Sequence, residues 1–297
     1  MRSNTLRKFL IKELKMNIKN NLSLRNFMEE YNFRPKKKLG QNFLHDKNVI
    51  KSIIKEAKVK GENILEIGPG PAILTELMLM NGSNLVISIE KDKNFEGKLL
   101  EIKKKYKKNF NYIFADVLDY SFNENNIKNF KIVSNLPYNI SVPFILKMNN
   151  RKYRLLWKEM ILMVQKEVAD RLLADKGTKN YGRISLIVGW KNKIERILNV
   201  KPSSFIPKPK VDSSLIRIKP LSKYPNAKHE TLENIVKVSF SHRRKTIKNN
   251  LDQLNIDTNN LLTLAKISPS ERAENIDIEG FCRIANFYDK INLQRTS

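Results

Sequence analysis

The chain has 297 residues, 41% of them hydrophobic, which is enough for one large and one small domain. Its 56 Lys and Arg against 30 Asp and Glu give a net charge of +26, which predicts a polyanionic partner such as nucleic acid. The only cysteine, Cys282, excludes an intrachain disulfide and indicates a reducing compartment. Histidines without ligand spacing argue against a metal site, and no long apolar run predicts a membrane span.

Residues 1–32 are expected to form an N-terminal extension, either disordered or a short basic amphipathic helix. Their Arg, Lys and Ser content is typical of an organelle transit peptide, whereas Glu13, Glu29 and Glu30 argue against one. We therefore expect a cytoplasmic protein, with a mitochondrial or other organelle matrix as the alternative location.

Apolar segments alternate with amphipathic ones from Gly61 onward. Strands are predicted at 63–68, 84–90, 111–117, 130–136 and 159–165, and the paired segments 195–200 and 213–219 finish the sheet. Helices are predicted at 72–82, up to about 108, at 166–175 and from about 183. This alternation is typical of βαβ units and a parallel sheet that binds ligands at the carboxyl ends of its strands.

The pattern changes after Pro220, where the sequence predicts helices and little strand character. We place a boundary near 221–225, between a domain of residues 33–220 and a smaller helical domain of residues 221–297. Residues 229–254 and the tail to about 291 are predicted to be helical.

The stretch "EIGPGP" lies at the first predicted strand-to-helix turn, where Gly68 and Gly70 let the backbone approach a nucleotide closely. Glu90 ends the next strand and is placed to accept both hydroxyls of a ribose. Asp116 ends the third strand, where a carboxylate accepts a hydrogen bond from an adenine amine. A pyrophosphate motif is absent, so the pattern predicts adenosine without pyrophosphate, and hence S-adenosylmethionine.

The stretch "NLPYNIS" ends the fourth predicted strand. The Asn135 side-chain oxygen, with the backbone carbonyl of Leu136 or Pro137, is suited to accept the hydrogens of an exocyclic base amine and stabilise positive charge as it attacks a methyl group. Tyr138 is suited to stack on a base turned out of its helix. A turn that only closes the core is the alternative interpretation of these residues.

Several segments together resemble the ribosomal RNA adenine N6,N6-dimethyltransferases of the KsgA type, among them "KKKLGQNFLHD", "EIGPG", "NLPYNIS" and "HRRKTIKNNL". The resemblance implies an α/β fold: a class I, Rossmann-like, S-adenosylmethionine-dependent methyltransferase domain with a small C-terminal helical domain. It implies methylation of two adjacent adenosines in the 3′-terminal hairpin loop of small-subunit rRNA, each twice, during ribosome biogenesis. We expect a monomer that acts on the rRNA or the assembling small subunit.

The resemblance also implies roles for individual residues. Cofactor contacts are implied for Asn42, Leu44, Gly68, Gly70, Glu90, Asp116 and Asn135. Asn135 is implied to contact the target amine as well, with Leu136, Pro137 and Tyr138 beside it in the catalytic motif. Pro71 departs from the residue usual after the second glycine and is expected to tilt the start of the following helix.

The RNA contacts are predicted in two basic segments. "SHRRKTIKNN" places Arg243, Arg244, Lys245 and Lys248 within about two helical turns of the C-terminal domain, which is expected to face the ribosome. In the segment 205–213, Lys208 and Lys210 are expected to face RNA and Phe205 to stack on a base. A solvated helix face is the alternative for the first segment.

Other functions share parts of this pattern. Transcription factors of the mitochondrial B type share the fold but act chiefly as nucleic-acid-binding proteins, and the retained cofactor and "NLPY" residues favour an enzyme. A large-subunit rRNA adenine dimethylase of the antibiotic-resistance type has a near-identical site, but "ERAENI" and "KNYGRISL" favour the small-subunit enzymes. A DNA adenine methyltransferase and a dehydrogenase match the motifs less well.

Overall fold

The computed structural model of the protein describes residues 33–122 and 127–296, together with Leu24, Met28, Glu29 and Tyr31. Apart from those four positions, the extension predicted for residues 1–32 lies outside the described residues.

A seven-stranded sheet forms the centre of the fold, with strand order β4-β3-β2-β5-β6-β9-β7. Its strands are β2 (Asn63–Ile67), β3 (Leu85–Glu90), β4 (Phe110–Phe114), β5 (Phe130–Asn135), β6 (Trp157–Gln165), β7 (Asn192–Val200) and β9 (Ser213–Pro220). Strands β2 to β6 are parallel, as predicted, whereas β9 runs antiparallel to both β6 and β7. Two further short strands, β1 (Phe43–Leu44) and β8 (Phe205–Ile206), pair antiparallel outside this sheet.

Helices cover both faces of the sheet because alternate strand residues point to opposite sides. Ile64 of β2 and Val133 of β5 pack in one core, and Leu65 and Ile132 pack in the other. The first core also takes α1 (Lys47–Ala57), α2 (Ile73–Met80) and α3 (Glu96–Tyr106). The second takes α4 (Tyr138–Asn149), α5 (Lys166–Leu172) and α6 (Arg183–Gly189).

The described chain after Pro220 consists of helices joined by loops and turns. It contains α7 (His229–Ser239), α8 (Ile247–Leu251), α9 (Thr258–Leu264) and α10 (Ile278–Thr296). These helices pack around a third apolar cluster, to which the sheet-containing domain contributes Tyr181, Leu186, Ile187 and Trp190. The two parts of the chain therefore share buried side chains rather than a polar linker.

Two element boundaries differ from the sequence prediction. The third predicted strand ends at Phe114, so Asp116 lies in the turn beyond it. The segment predicted to be helical across 229–254 is interrupted, because the chain leaves α7 after Ser239 and restarts at Ile247. Thr246 caps this second start by accepting a hydrogen bond from the Asn249 N–H, and the Ile247 N–H bonds to the Glu271 carbonyl outside the helix.

Glu66 is a buried acid at the carboxyl half of β2, with 2% of its surface exposed. Its Oε2 accepts hydrogen bonds from the Thr75 hydroxyl (2.5 Å) and the Ser88 hydroxyl (3.0 Å). Burial raises the pKa of its carboxyl from 4.5 to about 7. The folded protein therefore keeps a proton that the unfolded chain releases between pH 4.5 and about 7, and stability falls as the pH rises through that window.

We predict that Glu66→Gln removes this loss, because the amide keeps an acceptor oxygen without a charge. The variant should match the wild type near pH 5 and exceed it at pH 8 by about 3 kcal/mol, the free energy equivalent of the pKa shift. Urea unfolding at several pH values measures this difference. Glu167→Gln, an exposed acid on α5, is the control, and an unchanged pH slope in Glu66→Gln would contradict the prediction.

Candidate active site

A cleft of about 900 Å³ opens at the carboxyl ends of β2, β3 and β5. It lies where open α/β sheets bind their ligands. Its walls come from five chain segments that are distant in sequence: residues 38–43, 67–70, 89–95, 115–117 and 135–140.

The glycine turn after β2 forms the floor of the cleft and is left-handed at both glycines, with φ of +64° at Gly68 and +53° at Gly70. A side chain at Gly70 would place its Cβ 2.8 Å from the Phe43 ring, and one at Gly68 would lie 3.4 Å from Pro137. Gly70 therefore requires glycine for conformation and for space, whereas Gly68 requires it for its left-handed conformation. After Pro71, Ala72 is also left-handed, and α2 begins one residue later at Ile73.

The Glu90 carboxylate at the end of β3 joins the loops of two strands. Its Oε2 accepts the Gly70 N–H (3.1 Å), and its Oε1 accepts the N–H groups of Lys91 and Asp92 (2.8 Å each). Burial raises the pKa of this carboxyl, and the three backbone N–H groups oppose the rise. Glu90 thus orders the glycine turn and also lines the cleft.

Asp116 lies at the opposite wall of the cleft, 2.6 Å from the Lys91 ammonium. Its other oxygen accepts the Leu118 N–H (2.9 Å), and the hydrogen bond from Lys91 keeps the pKa of the carboxyl low. The turn around Asp116 is held by Lys147 of α4, which donates to the carbonyls of Val117, Leu118 and Tyr120 at 2.7–3.0 Å. Asp116 is therefore an ionised acceptor in a fixed turn.

Asn135 ends β5 with its amide oriented by a distant segment. Its Nδ2 donates to the Asn42 carbonyl (2.9 Å). The Oδ1 acceptor on the same planar amide therefore points away from Asn42. The Pro137 carbonyl accepts the Ile140 N–H, whereas no hydrogen bond among the described residues uses the Leu136 carbonyl. Tyr138 starts α4 at the cleft wall, with its hydroxyl 2.5 Å from the Ser213 hydroxyl.

Residues 33–46, which we call the strap, close one side of the cleft. Lys36 and Gln41 both donate to the Asp92 carboxylate at 3.0 Å, and β1 pairs with β8. Phe33, Phe43 and Phe95 form an aromatic cluster with ring centroids 4.7–5.9 Å apart. Two sides of the domain therefore hold the strap in place.

The cleft brings together Asn42, Gly68, Gly70, Glu90, Asp116 and the catalytic motif Asn135, Leu136, Pro137 and Tyr138. Leu44 is the exception, because it is buried and lines a smaller neighbouring cavity beside Glu66 and Pro69. Sequence reasoning missed several lining residues, including Lys38, Gln41, Phe95 and Asn139. Only the strap's proximity to the glycine turn could have indicated them, and that proximity depends on the tertiary fold.

A sequence profile of the ribosomal RNA adenine dimethylase family matches residues 32–290. The chain belongs to this family. It is 38% identical over 270 residues to ribosomal RNA small subunit methyltransferase A of Pseudomonas fluorescens, covering 87% of this chain and 94% of that one. The Wolbachia protein of the same name is 37% identical over 262 residues, covering 87% and 95% of the two chains.

Solved structures agree with this dimethylase family assignment. A dimethyladenosine transferase from Plasmodium falciparum superposes with a TM-score of 0.70 at 27% identity, covering 84% of this chain and 98% of that one. The 23S rRNA methyltransferase ErmE superposes with a TM-score of 0.61 at 23% identity, covering 84% and 100%, which supports the fold alone. The Rossmann-like methyltransferase fold predicted from the sequence is confirmed.

The RNA-facing role expected for Phe205 in this dimethylase is wrong. Its side chain is 0% exposed and packs in the first core beneath the β1–β8 pair. Lys208 and Lys210 are exposed in the loop that follows β8. An aromatic residue in a polar loop therefore anchors the loop here instead of contacting a ligand.

The basic segment 241–250 is a turn followed by a short helix, so its cations do not share one helix face. Arg243 donates to Glu274 (2.9 Å) and to the Tyr181 carbonyl (3.1 Å), which fastens the turn to the loop before α6. Lys248 is half-buried and pairs with Asp252 at 3.3 Å. Arg244 and Lys245 are exposed and form no ion pair or side-chain hydrogen bond among the described residues, so they are the cations of this segment that are available to a ligand.

The described residues show neither a metal-binding cluster nor a membrane-spanning helix. Among residues 33–122 and 127–296, His, Cys, Asp and Glu side chains form no group of three suited to hold a metal ion. In the same part of the chain, every helix is too short or too polar to cross a membrane.

We predict that Phe205→Ala lowers the free energy of unfolding by about 3–5 kcal/mol, because it leaves a cavity in the core under the strap. Lys208→Ala is the matched control in the same loop and should change stability by less than about 0.5 kcal/mol. Urea unfolding measures both variants. A Phe205→Ala protein as stable as the control would show that the ring is not part of the core.

Proposed function

We propose that this protein transfers methyl groups from S-adenosylmethionine to N6 of two adjacent adenosines in the 3′-terminal hairpin loop of small-subunit rRNA, giving N6,N6-dimethyladenosine. Membership of the rRNA adenine dimethylase family supports the reaction. The small-subunit relatives support the substrate. The observation that carries the proposal is the amide of Asn135, held by the strap with its oxygen available beside the free Leu136 carbonyl.

The cleft has the polar groups that an adenosine-containing cofactor requires. After its three backbone contacts, Glu90 keeps about one of the roughly four lone-pair sites of a carboxylate for a ribose hydroxyl, and Asp116 offers an acceptor for an adenine amine. Gly68 and Gly70 line the cleft with backbone atoms alone. S-adenosylmethionine, when bound, supplies a methyl group on a positively charged sulfur. Exposed Lys91 has to share the Asp116 carboxylate with the adenine amine.

The catalytic residues act on the lone pair of the target amine. An exocyclic adenine nitrogen is a poor nucleophile, because its lone pair is delocalised into the ring. The Asn135 Oδ1 and the Leu136 carbonyl accept its two hydrogens, which favours a tetrahedral nitrogen and stabilises the positive charge that develops on it. The Asn42 carbonyl fixes the Asn135 amide, so this arrangement needs no reorganisation during the reaction.

Tyr138 supports the target base from the side. Its hydroxyl contact with Ser213 holds the ring at the wall of the cleft, which favours stacking of a flipped adenine on its face. The buried thiol of Cys282 supports a reducing compartment, for which we propose the cytoplasm.

The reaction is tested with small ribosomal subunits that lack the modification and, separately, with large subunits, each incubated with the protein and labelled S-adenosylmethionine. Nuclease digestion and mass spectrometry then identify the nucleosides. N6,N6-dimethyladenosine in small-subunit RNA is the expected product. Product only in large-subunit RNA would favour the antibiotic-resistance type, and cofactor binding without any product would favour a nucleic-acid-binding protein.

We predict that Glu90→Ala weakens binding of S-adenosylhomocysteine about 10- to 100-fold, because it leaves ribose hydroxyls and loop N–H groups without an acceptor. Isothermal titration calorimetry measures the affinity. Glu96→Ala, an exposed acid in the first turn of α3, should bind like the wild type. Unchanged affinity in Glu90→Ala would remove Glu90 from the cofactor site.

We predict that Asn135→Ala lowers the rate of methyl transfer at least about 100-fold, the size of effect seen when one positioned polar group of a transition state is removed. Cofactor affinity and the unfolding midpoint report whether the cleft stays intact. Asn234→Ala, an exposed residue of α7 that does not line the cleft, is the control. A folded Asn135→Ala protein with wild-type turnover would contradict the assigned role.

A further inference from the structure

The excess positive charge is concentrated in the larger domain. Residues 33–220 contain 37 Lys and Arg against 18 Asp and Glu, whereas residues 221–297 contain 12 against 9. The C-terminal helices therefore contribute little to the net charge of +26. A partner recognised mainly by charge would find most of that charge on the domain that holds the sheet.

Part of this charge gathers at the edge of the sheet where the parallel strands begin, opposite the cleft. We define the sheet-edge surface by its exposed cations that form no ion pair or side-chain hydrogen bond among the described residues: Lys58, Lys60, Lys107, Lys108, Lys128, Arg151 and Lys223. Each lies within a few residues of the start of a parallel strand or, for Lys223, beyond the end of antiparallel β9.

Hydrogen bonds connect these loops into one surface. Asn109 donates to the Asn84 carbonyl, and Asn84 donates to Asn63, which ties the starts of β4, β3 and β2 together. Lys131 at the start of β5 donates to the Lys58 carbonyl. The Phe130 N–H bonds to the Leu156 carbonyl before β6. The cations therefore lie along a continuous row of neighbouring strand starts.

The described acids near this edge pair with other cations. Glu62 pairs with Lys131 and Lys158, and Glu195 pairs with Lys193 and Arg217. Glu159, which is buried, pairs with Lys131, Arg217 and Lys219. Glu56 pairs with Arg217. Because other cations occupy these carboxylates, the outer row keeps its positive charge.

We propose that the sheet-edge surface binds the phosphate backbone of RNA at a place separate from the target loop. Exposed Lys and Arg without base-reading partners are suited to phosphate contacts, which add affinity and salt dependence but no sequence readout. The six residues of β5 and nine of β6 separate this surface from the cleft by roughly 20–30 Å. The surface therefore contacts other RNA of the small ribosomal subunit that carries the target loop. This inference rests on the proposed rRNA substrate.

The test compares two RNAs and two variants. One RNA is a short hairpin carrying only the target loop, and the other is the complete small-subunit rRNA. The first variant replaces Lys60, Lys107, Lys108 and Lys128 with Gln, and the control variant replaces the exposed Lys228, Lys237, Lys266 and Lys290 with Gln. Affinities for each RNA are measured between 50 and 200 mM salt, the range over which phosphate contacts change affinity most visibly.

We expect the first variant to bind the hairpin like the wild type but to bind complete rRNA more weakly. Its slope of log affinity against log salt on complete rRNA should be smaller by about 3, since each lost phosphate contact contributes about 0.7–0.9. An unchanged slope on complete rRNA overturns the proposal, and so does an equal loss on both RNAs or an equal loss in the control variant.

Two further measurements separate the possible failures. Wild-type methyl transfer on the same RNAs tests the proposed function, so an active wild type with an unaffected first variant overturns only the sheet-edge surface. Binding to vesicles of phosphatidylcholine and phosphatidylserine tests an anionic membrane instead. Vesicle binding lost in the first variant, with rRNA binding unchanged, assigns the surface to lipid and overturns the RNA proposal.

Discussion

The geometry of the cleft depends on the hydrogen bonds that the buried carboxylate of Glu90 accepts from the backbone. A carboxylate inside a protein is costly unless donors compensate it, and three backbone N–H groups from two loops do so here. The same contacts set the glycine turn after β2 against the end of β3. A residue placed to bind a ribose thus also builds the turn beside it, so its binding and structural roles cannot be separated by removing the side chain alone.

A second constraint links the strap to the catalytic motif. Asn42 and Asn135 are far apart in sequence, yet one hydrogen bond between them sets which way the catalytic amide points. The strap itself is held by Asp92 on one side and by β8 on the other. Phe205 of β8 packs in the core and holds β8 in place. Strand β8 pairs with β1 of the strap, and the strap orients the Asn135 amide through the Asn42 carbonyl.

The strand-end residues of the site could be predicted because they depend on local pattern. Apolar runs fix where strands end, and parallel strands bring Gly68, Glu90 and Asn135 to one edge of the sheet. The rest depends on tertiary contacts that one sequence does not encode locally. Phe205 and Arg243 lie in polar, basic segments that resemble ligand-binding loops, yet the fold buries the ring and pairs the guanidinium with Glu274. Leu44 lies outside the cleft for a related reason. Strand alternation directs its side chain away from the cleft that neighbouring Phe43 lines.

The distribution of charge changes how the two domains divide the work of binding RNA. The C-terminal helices have nearly balanced charge, and the cations around their basic turn are partly used to hold that turn in place. Such a surface is better suited to shape and to a few positioned contacts than to long-range attraction. The sheet-containing domain has the larger excess, with much of it away from the cleft, and contacts there add affinity without crowding the pocket in which a base must be flipped and then released. Contacts to the RNA backbone and the reaction cleft lie at opposite edges of one sheet. Tight RNA binding at one edge therefore does not slow exchange of the methylated base at the other.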